Sequence, residues 1–210
     1  MSRSRRRSKS ASLIVDPQVG FTPKRRGHPG SGELAVPEGH LIAEPIVRFE
    51  DAVWLEGVTT FMTRDQHSPK AGAHFERHGR HCVRRTPGAE FLPELVSLSR
   101  RAEVFDKGTH PDRHDYTGFK GHHRKTGRTL LYELRRRGIR VLYISGLATE
   151  YCVMATVMDA LKYGFKVVLI TDAIRAVDSV KGAEAIAAMV AAGVICKTTK
   201  EIVAGWRLTA

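Results

Sequence analysis

The chain has 210 residues, a formal net charge of +12 and an apolar fraction of 42%. That length suits one α/β domain with a full core, while three cysteines, Cys82, Cys152 and Cys196, fit reduced thiols in a cytoplasmic compartment better than a disulfide scaffold. No apolar run approaches membrane-spanning length. The charge is uneven: Arg3, Arg5, Arg6, Arg7 and Lys9, with no acid among the first ten residues, leave +7 for the rest.

The expected division is a disordered basic tail over 1–10 and a single domain over 11–210. The tail is similar in composition to a transit segment, but a strand beginning at Ser12 leaves little to cleave, so a solvated tail is the reading. Ser12–Val15 is a short apolar run closed by Asp16 and Pro17, a buried strand entering a loop. Thr22–Gly32 is rich in Pro, Gly, Lys and Arg and reads as an exposed loop. Glu38–Phe49 reads as a helix with a weak point before Pro45, and Val58–Thr63 as a β-branched strand. Arg64–Thr86 is a long irregular stretch, of a length that is usually functional.

Glu103–Asp106 is a short strand ending near Lys107. Thr126–Arg137 carries Leu130, Leu131 and Leu134 at helical spacing, with Gly138 as its stop. Strand Ile139–Ile144 leads through a glycine and a five-residue turn to Cys152. Val153, Val157, Ala160 and Leu161 then recur on one helical face. Lys166–Thr171 is a further strand, Val180–Ala192 an alanine-rich helix and Val194–Lys197 a last strand. The alternation predicts an α/β fold: a mostly parallel central sheet with helices on both faces, Rossmann-like, with no repeat and no second domain.

Asp16, Lys107 and Cys152 each follow an apolar strand, and in a parallel sheet those ends share the edge where such folds place their chemistry. A thiol at the positive end of a helix favours thiolate. Asp16, made more basic by burial, would take the thiol proton, and Lys107 would balance the negative charge. Cys152 would then attack an electrophilic carbonyl, with backbone N–H groups receiving the oxyanion. Each residue also has a plain structural reading: a turn former before proline, a surface charge, a small core residue.

A second constellation comprises Asp65, His67, His74, His78 and His81. Asp65 and His67 share a face on an extended backbone. With His81 they make an aspartate and two-histidine set suited to Zn²⁺, Fe²⁺ or Mn²⁺. The other reading is an exposed loop that simply carries histidines.

Four ordered segments carry a family resemblance: D-P-Q-V-G-F at Asp16–Phe21, T-R-D-Q-H at Thr63–His67 with H-C-V at His81–Val83 and T-P-G-A-E-F at Thr86–Phe91, F-D-K-G-T-H-P-D-R-H-D-Y-T-G-F at Phe105–Phe119, and G-L-A-T-E-Y-C-V at Gly146–Val153. Together they resemble the nicotinamidase/pyrazinamidase branch of the isochorismatase-like cysteine hydrolases, three-layer α/β sandwiches. The resemblance implies Asp16, Lys107 and Cys152 as a catalytic triad and a cis peptide at Leu147–Ala148. It implies the Ala148 and Cys152 amides as the oxyanion hole. It also implies Asp65, His67 and His81 as ligands of one divalent metal (zinc foremost, iron or manganese as alternatives), with His74 as a shifted further ligand. Phe21 and Tyr116 match pocket positions. His78 stands where relatives carry a ring-stacking tryptophan in W-P-x-H-C, and Gln66 replaces an aromatic residue.

The implied function is hydrolysis of nicotinamide to nicotinate and ammonia through a thioester, feeding NAD salvage, with pyrazinamide as a second substrate. One alternative keeps the triad and changes the amide to a carbamoyl or other aliphatic one. Another, from a different class, is a basic nucleic-acid-binding protein on a silenced hydrolase fold, which the intact Asp16, Lys107 and Cys152 argue against. The expected partner is thus a small molecule, not a membrane or nucleic acid, and a homo-oligomer is left open.

Overall fold

Alternation along the first strand sets the layers. In the computed structural model, which describes residues 9–111, 113 and 115–207, β1 (Ser10–Val15) is almost wholly buried. The expected tail lies outside the described residues except for Lys9 and Ser10; Ser10 already belongs to β1. The strands β2 (Thr59–Asp65), β3 (Glu103–Lys107), β4 (His122–His123), β5 (Val141–Leu147), β6 (Lys166–Arg175) and β7 (Ile195–Lys197) follow. They form one sheet in the order β4-β3-β2-β1-β5-β6-β7. Every pairing is parallel except the antiparallel β3–β4 edge.

Seven α-helices accompany the sheet among the described residues: α1 (Ala43–Trp54), α2 (Gly72–His78), α3 (Val96–Arg101), α4 (Leu130–Arg136), α5 (Met154–Lys162), α6 (Ser179–Ala191) and α7 (Thr199–Arg207). Ile14, Met62 and Val104 pack on one face with Phe49 of α1, Leu98 of α3 and Ile202 of α7. Leu13, Phe61 and Phe105 pack on the other with Leu134 of α4, Val157 of α5 and Met189 of α6. Burying each such side chain stabilises the fold by about 1.5–3 kcal/mol. The three-layer α/β expectation therefore holds. None of the helices among the described residues is long and apolar enough to cross a membrane.

β1 lies between β2 and β5, so the chain winds away from it in both directions. That makes the carboxyl edge of β1 a topological switch point, the place where such sheets open a crevice.

Several boundaries move from their sequence expectation. The helix expected over Glu38–Phe49 begins at Ala43 and runs on to Trp54. Pro45 falls in its first turn, where an N–H has no partner within the helix, so the ring costs nothing there. The stretch Arg64–Thr86 contains α2 and is not wholly irregular. The helix expected from Thr126 starts at Leu130, because the Thr129 hydroxyl accepts the Tyr132 N–H at 3.3 Å and caps it. The edge strand β4 and the helices α3 and α7 were not expected. α3 has six residues, too few to display a period.

Candidate active site

Where β1 ends, Asp16 takes a left-handed conformation (φ 47°) and its N–H reaches the Thr63 carbonyl at 3.2 Å. The Thr63 hydroxyl donates to Asp16 Oδ1 at 2.7 Å, and the carboxylate is fully buried. Lys107 is the last residue of β3 and its side chain is also fully buried. Its Nζ lies 2.9 Å from Asp16 Oδ2, 2.7 Å from Asp65 Oδ1 and 3.5 Å from Cys152 Sγ, and donates to the Asp115 carbonyl at 3.1 Å. One ammonium between two buried carboxylates satisfies charges that would be costly alone.

Cys152 arrives from the other side of β1. Gly146 of β5 pairs with Val15, and a Cβ on it would lie 2.0 Å from the Val15 carbonyl oxygen. Glycine there, at φ 120°, lets the two strands close and brings the following turn over Asp16. The Leu147–Ala148 peptide is cis, as the resemblance implied. A single wide π-type turn, Thr149–Val153, then carries Cys152 into α5. The Ala148 carbonyl accepts N–H bonds from Tyr151 at 3.1 Å and Val153 at 3.2 Å, stepping over the Cys152 N–H. Thr156 donates its hydroxyl to the Cys152 carbonyl at 2.6 Å and fixes the turn from below.

The electrostatics correct one expectation. Burial pushes the Cys152 thiol well above its ordinary value; Lys107 opposes this, and the nearby carboxylates of Asp16 and Asp65 add to it. The resting group is therefore a thiol, because desolvation outweighs the about 0.3–1 kcal/mol a helix end supplies. Burial likewise raises Asp16, against the pull of Lys107, so Asp16 is the more basic carboxylate. Burial also opposes the charge of Asp65, but Lys107 and then His67 outweigh it and hold Asp65 well below the usual carboxylate range. Asp16 and Asp65, two carboxylates on one ammonium, are thereby driven apart.

Gln18, which sequence reasoning missed, grips Asp65 as a strand would. Its amide donates to the Asp65 carbonyl at 2.8 Å and its oxygen accepts the Asp65 N–H at 2.7 Å. No periodicity marks a side chain that imitates backbone.

Beyond Asp65, ring nitrogens of His67, His74 and His81 lie within 4.8 Å of one another, all three residues buried. The His67 Nδ1 is 3.1 Å from the Gly108 carbonyl and the His81 Nδ1 2.9 Å from the Gly79 carbonyl. Carbonyls only accept, so each Nδ1 carries a proton and each Nε2 is the nitrogen turned toward the cluster. His67 Nε2 is buried without a hydrogen bond and stands 3.5 Å from Asp65 Oδ2. His81 Nε2 meets His74 Nε2 at 3.4 Å. Burial lowers His81 to about 4; burial and the neighbouring imidazoles lower His74 to about 3. Imidazole nitrogens and a neighbouring carboxylate together form a donor set of a type that fits a divalent cation. His74 thus joins Asp65, His67 and His81. His78 stays outside that cluster: its Nε2 lies 2.8 Å from the Tyr116 hydroxyl, with the rings edge-on.

A cavity of about 100 Å³ connects the two groups, with Cys152 and Ala148 at one end and the histidines at the other. Phe21, His78 and Tyr116 line it as expected; Tyr151, Leu34 and Val36 line it as well. Asp16 and Lys107 are not in its lining, and reach it through the Cys152 sulfur that stands 3.5 Å from Lys107 Nζ.

A thiol, an ammonium and a carboxylate thus meet at the switch point of a parallel α/β sheet. The chain belongs to the isochorismatase family: the pattern described as Isochorismatase domain matches residues 10–201. It is 33% identical over 186 residues to the nicotinamidase of Escherichia coli, covering 80% of this chain and 84% of that one. Among solved structures, the pyrazinamidase of Pyrococcus horikoshii in complex with zinc is 36% identical, with a TM-score of 0.78 over 91% of this chain and 99% of that one. A protein from L. infantum in complex with nicotinate is 29% identical, with a TM-score of 0.76 over 92% and 96%.

Proposed function

We propose that the chain is a nicotinamidase, a cysteine amidohydrolase that converts nicotinamide to nicotinate and ammonia and also accepts pyrazinamide. The observation that carries this reading is that one cavity receives both Cys152 and the histidine cluster, so an amide carbon and a ring nitrogen of one small aromatic molecule have places in it. The E. coli relative's name and the zinc- and nicotinate-bound structures support it.

Asp16 removes the Cys152 proton as sulfur attacks the carboxamide carbon. The Ala148 and Cys152 amides donate to the tetrahedral oxyanion, a developing charge that such groups stabilise strongly. Asp16 returns the proton to nitrogen, ammonia leaves, and a thioester remains. A water deprotonated by Asp16 then releases nicotinate. Lys107 stays charged and keeps the Asp16 carboxylate aligned on sulfur. Asp65, His67 and His81, with His74, would hold a divalent cation, zinc by preference, whose chemistry is a Lewis-acid contact for the ring nitrogen. Phe21 and Tyr116 flank the ring; His78, held by Tyr116, is a wall of the pocket. Three free cysteines, one of them a required thiol, support a reducing compartment, the cytoplasm, where the reaction would feed NAD salvage.

The test is ammonia release from nicotinamide, pyrazinamide and an aliphatic amide side by side. The expected kcat/KM for the aromatic amides exceeds the aliphatic one by about 10²-fold or more. Preference for the aliphatic amide would overturn the substrate assignment and favour the carbamoyl-type reading.

A further inference from the structure

Glu33 reaches the histidine loop from outside the active site. Its Oε2 accepts the Cys82 N–H at 2.8 Å. Cys82 is left-handed (φ 43°), a conformation that a non-glycine residue keeps only when its surroundings enforce it. The Cys82 carbonyl in turn accepts the His67 N–H at 3.0 Å, and the His67 carbonyl accepts the Arg84 N–H at 3.0 Å. One residue thus joins His81, its chain neighbour, to His67, and Glu33 holds that residue. Room for the carboxylate is built in. A Cβ on Gly88 would lie 2.0 Å from Glu33 Oε2, and one on Gly20 would lie 2.9 Å from it. The Leu34 N–H bonds the Gly20 carbonyl at 2.9 Å and ties the Glu33 segment down.

We infer that Glu33 is a positioning residue for the metal centre: through Cys82 it sets the spacing of His67 and His81, and so the affinity for the cation. The inference rests on the metal reading proposed above. Removing partners one shell beyond metal ligands typically costs about 10–100-fold in affinity.

The experiment titrates metal-free protein with Zn²⁺ against a chromophoric chelator, alongside thermal unfolding of the same metal-free samples. Glu33→Ala and Gly88→Ala, the second of which displaces the carboxylate without removing it, are expected to weaken zinc binding by about tenfold or more. Glu33→Gln keeps an oxygen acceptor and is expected to stay within about threefold of wild type. Wild-type affinity in Glu33→Ala overturns the inference, even if its metal-free unfolding midpoint falls. Equal weakening in Glu33→Gln and Glu33→Ala also overturns it. A wild-type protein that binds no zinc removes the metal reading itself, and the inference with it.

Discussion

At the sulfur end of the cavity the reactive side chains stand on or just past strand ends, whereas at the histidine end they stand on a loop that other side chains hold in shape. Asp16, Lys107 and Cys152 are brought together by the register of β1, β3 and β5. His67 and His81 depend on left-handed Cys82 and on the Glu33 carboxylate. A sheet fixes its ends wherever its core is buried. A loop must specify its conformation residue by residue, so the same precision needs more dedicated groups. The two ends should then fail separately.

The largest effect is expected from Cys152→Ala: kcat for nicotinamide falls by at least about 10³-fold while zinc content per chain stays at the wild-type level. Loss of zinc in that variant would show that the sulfur end supports the histidine end. His67→Ala is expected to do the reverse, weakening zinc by about 10–100-fold or more, while iodoacetamide alkylates Cys152 at close to the wild-type rate. A parallel fall in alkylation would join the two ends into one unit. The smallest effect is graded. Burial raises Asp16, and a base works only when deprotonated, so kcat/KM should fall by about tenfold per pH unit below an inflection set by Asp16. That inflection lies above 3.8, the ordinary aspartate value. An acid limb that moves with excess zinc would assign it to the histidines instead.

The same contrast decides what could be read from the sequence. Runs ending at Val15, Asp106 and Ile144 announce a parallel sheet, and that is enough to bring a carboxylate, an ammonium and a thiol to one edge. The loop gave up its ligand types but not its geometry. His74 belongs to the cluster because α2 turns it inward, and α2 is seven residues without a long apolar stripe. Gln18 and Glu33 act on backbone groups distant in sequence, and nothing in spacing points at such a partner. The expected thiolate failed for another reason: a helix end is a local property, but the burial that overrides it belongs to the assembled fold.

The central place of β1 also governs when the enzyme comes into being. Ser10–Val15 leaves the ribosome well before its partner on one side, Val141–Leu147. Until then a nascent chain holds Asp16 and Lys107 without their sulfur, and the edge of β1 that will receive β5 stays bare. Such an edge can add a strand from another chain, and distant pairings of this kind form slowly. A polypeptide released before Val141 would therefore be both inert and prone to associate. Catalytic competence thus arrives with the same strand that removes the hazard.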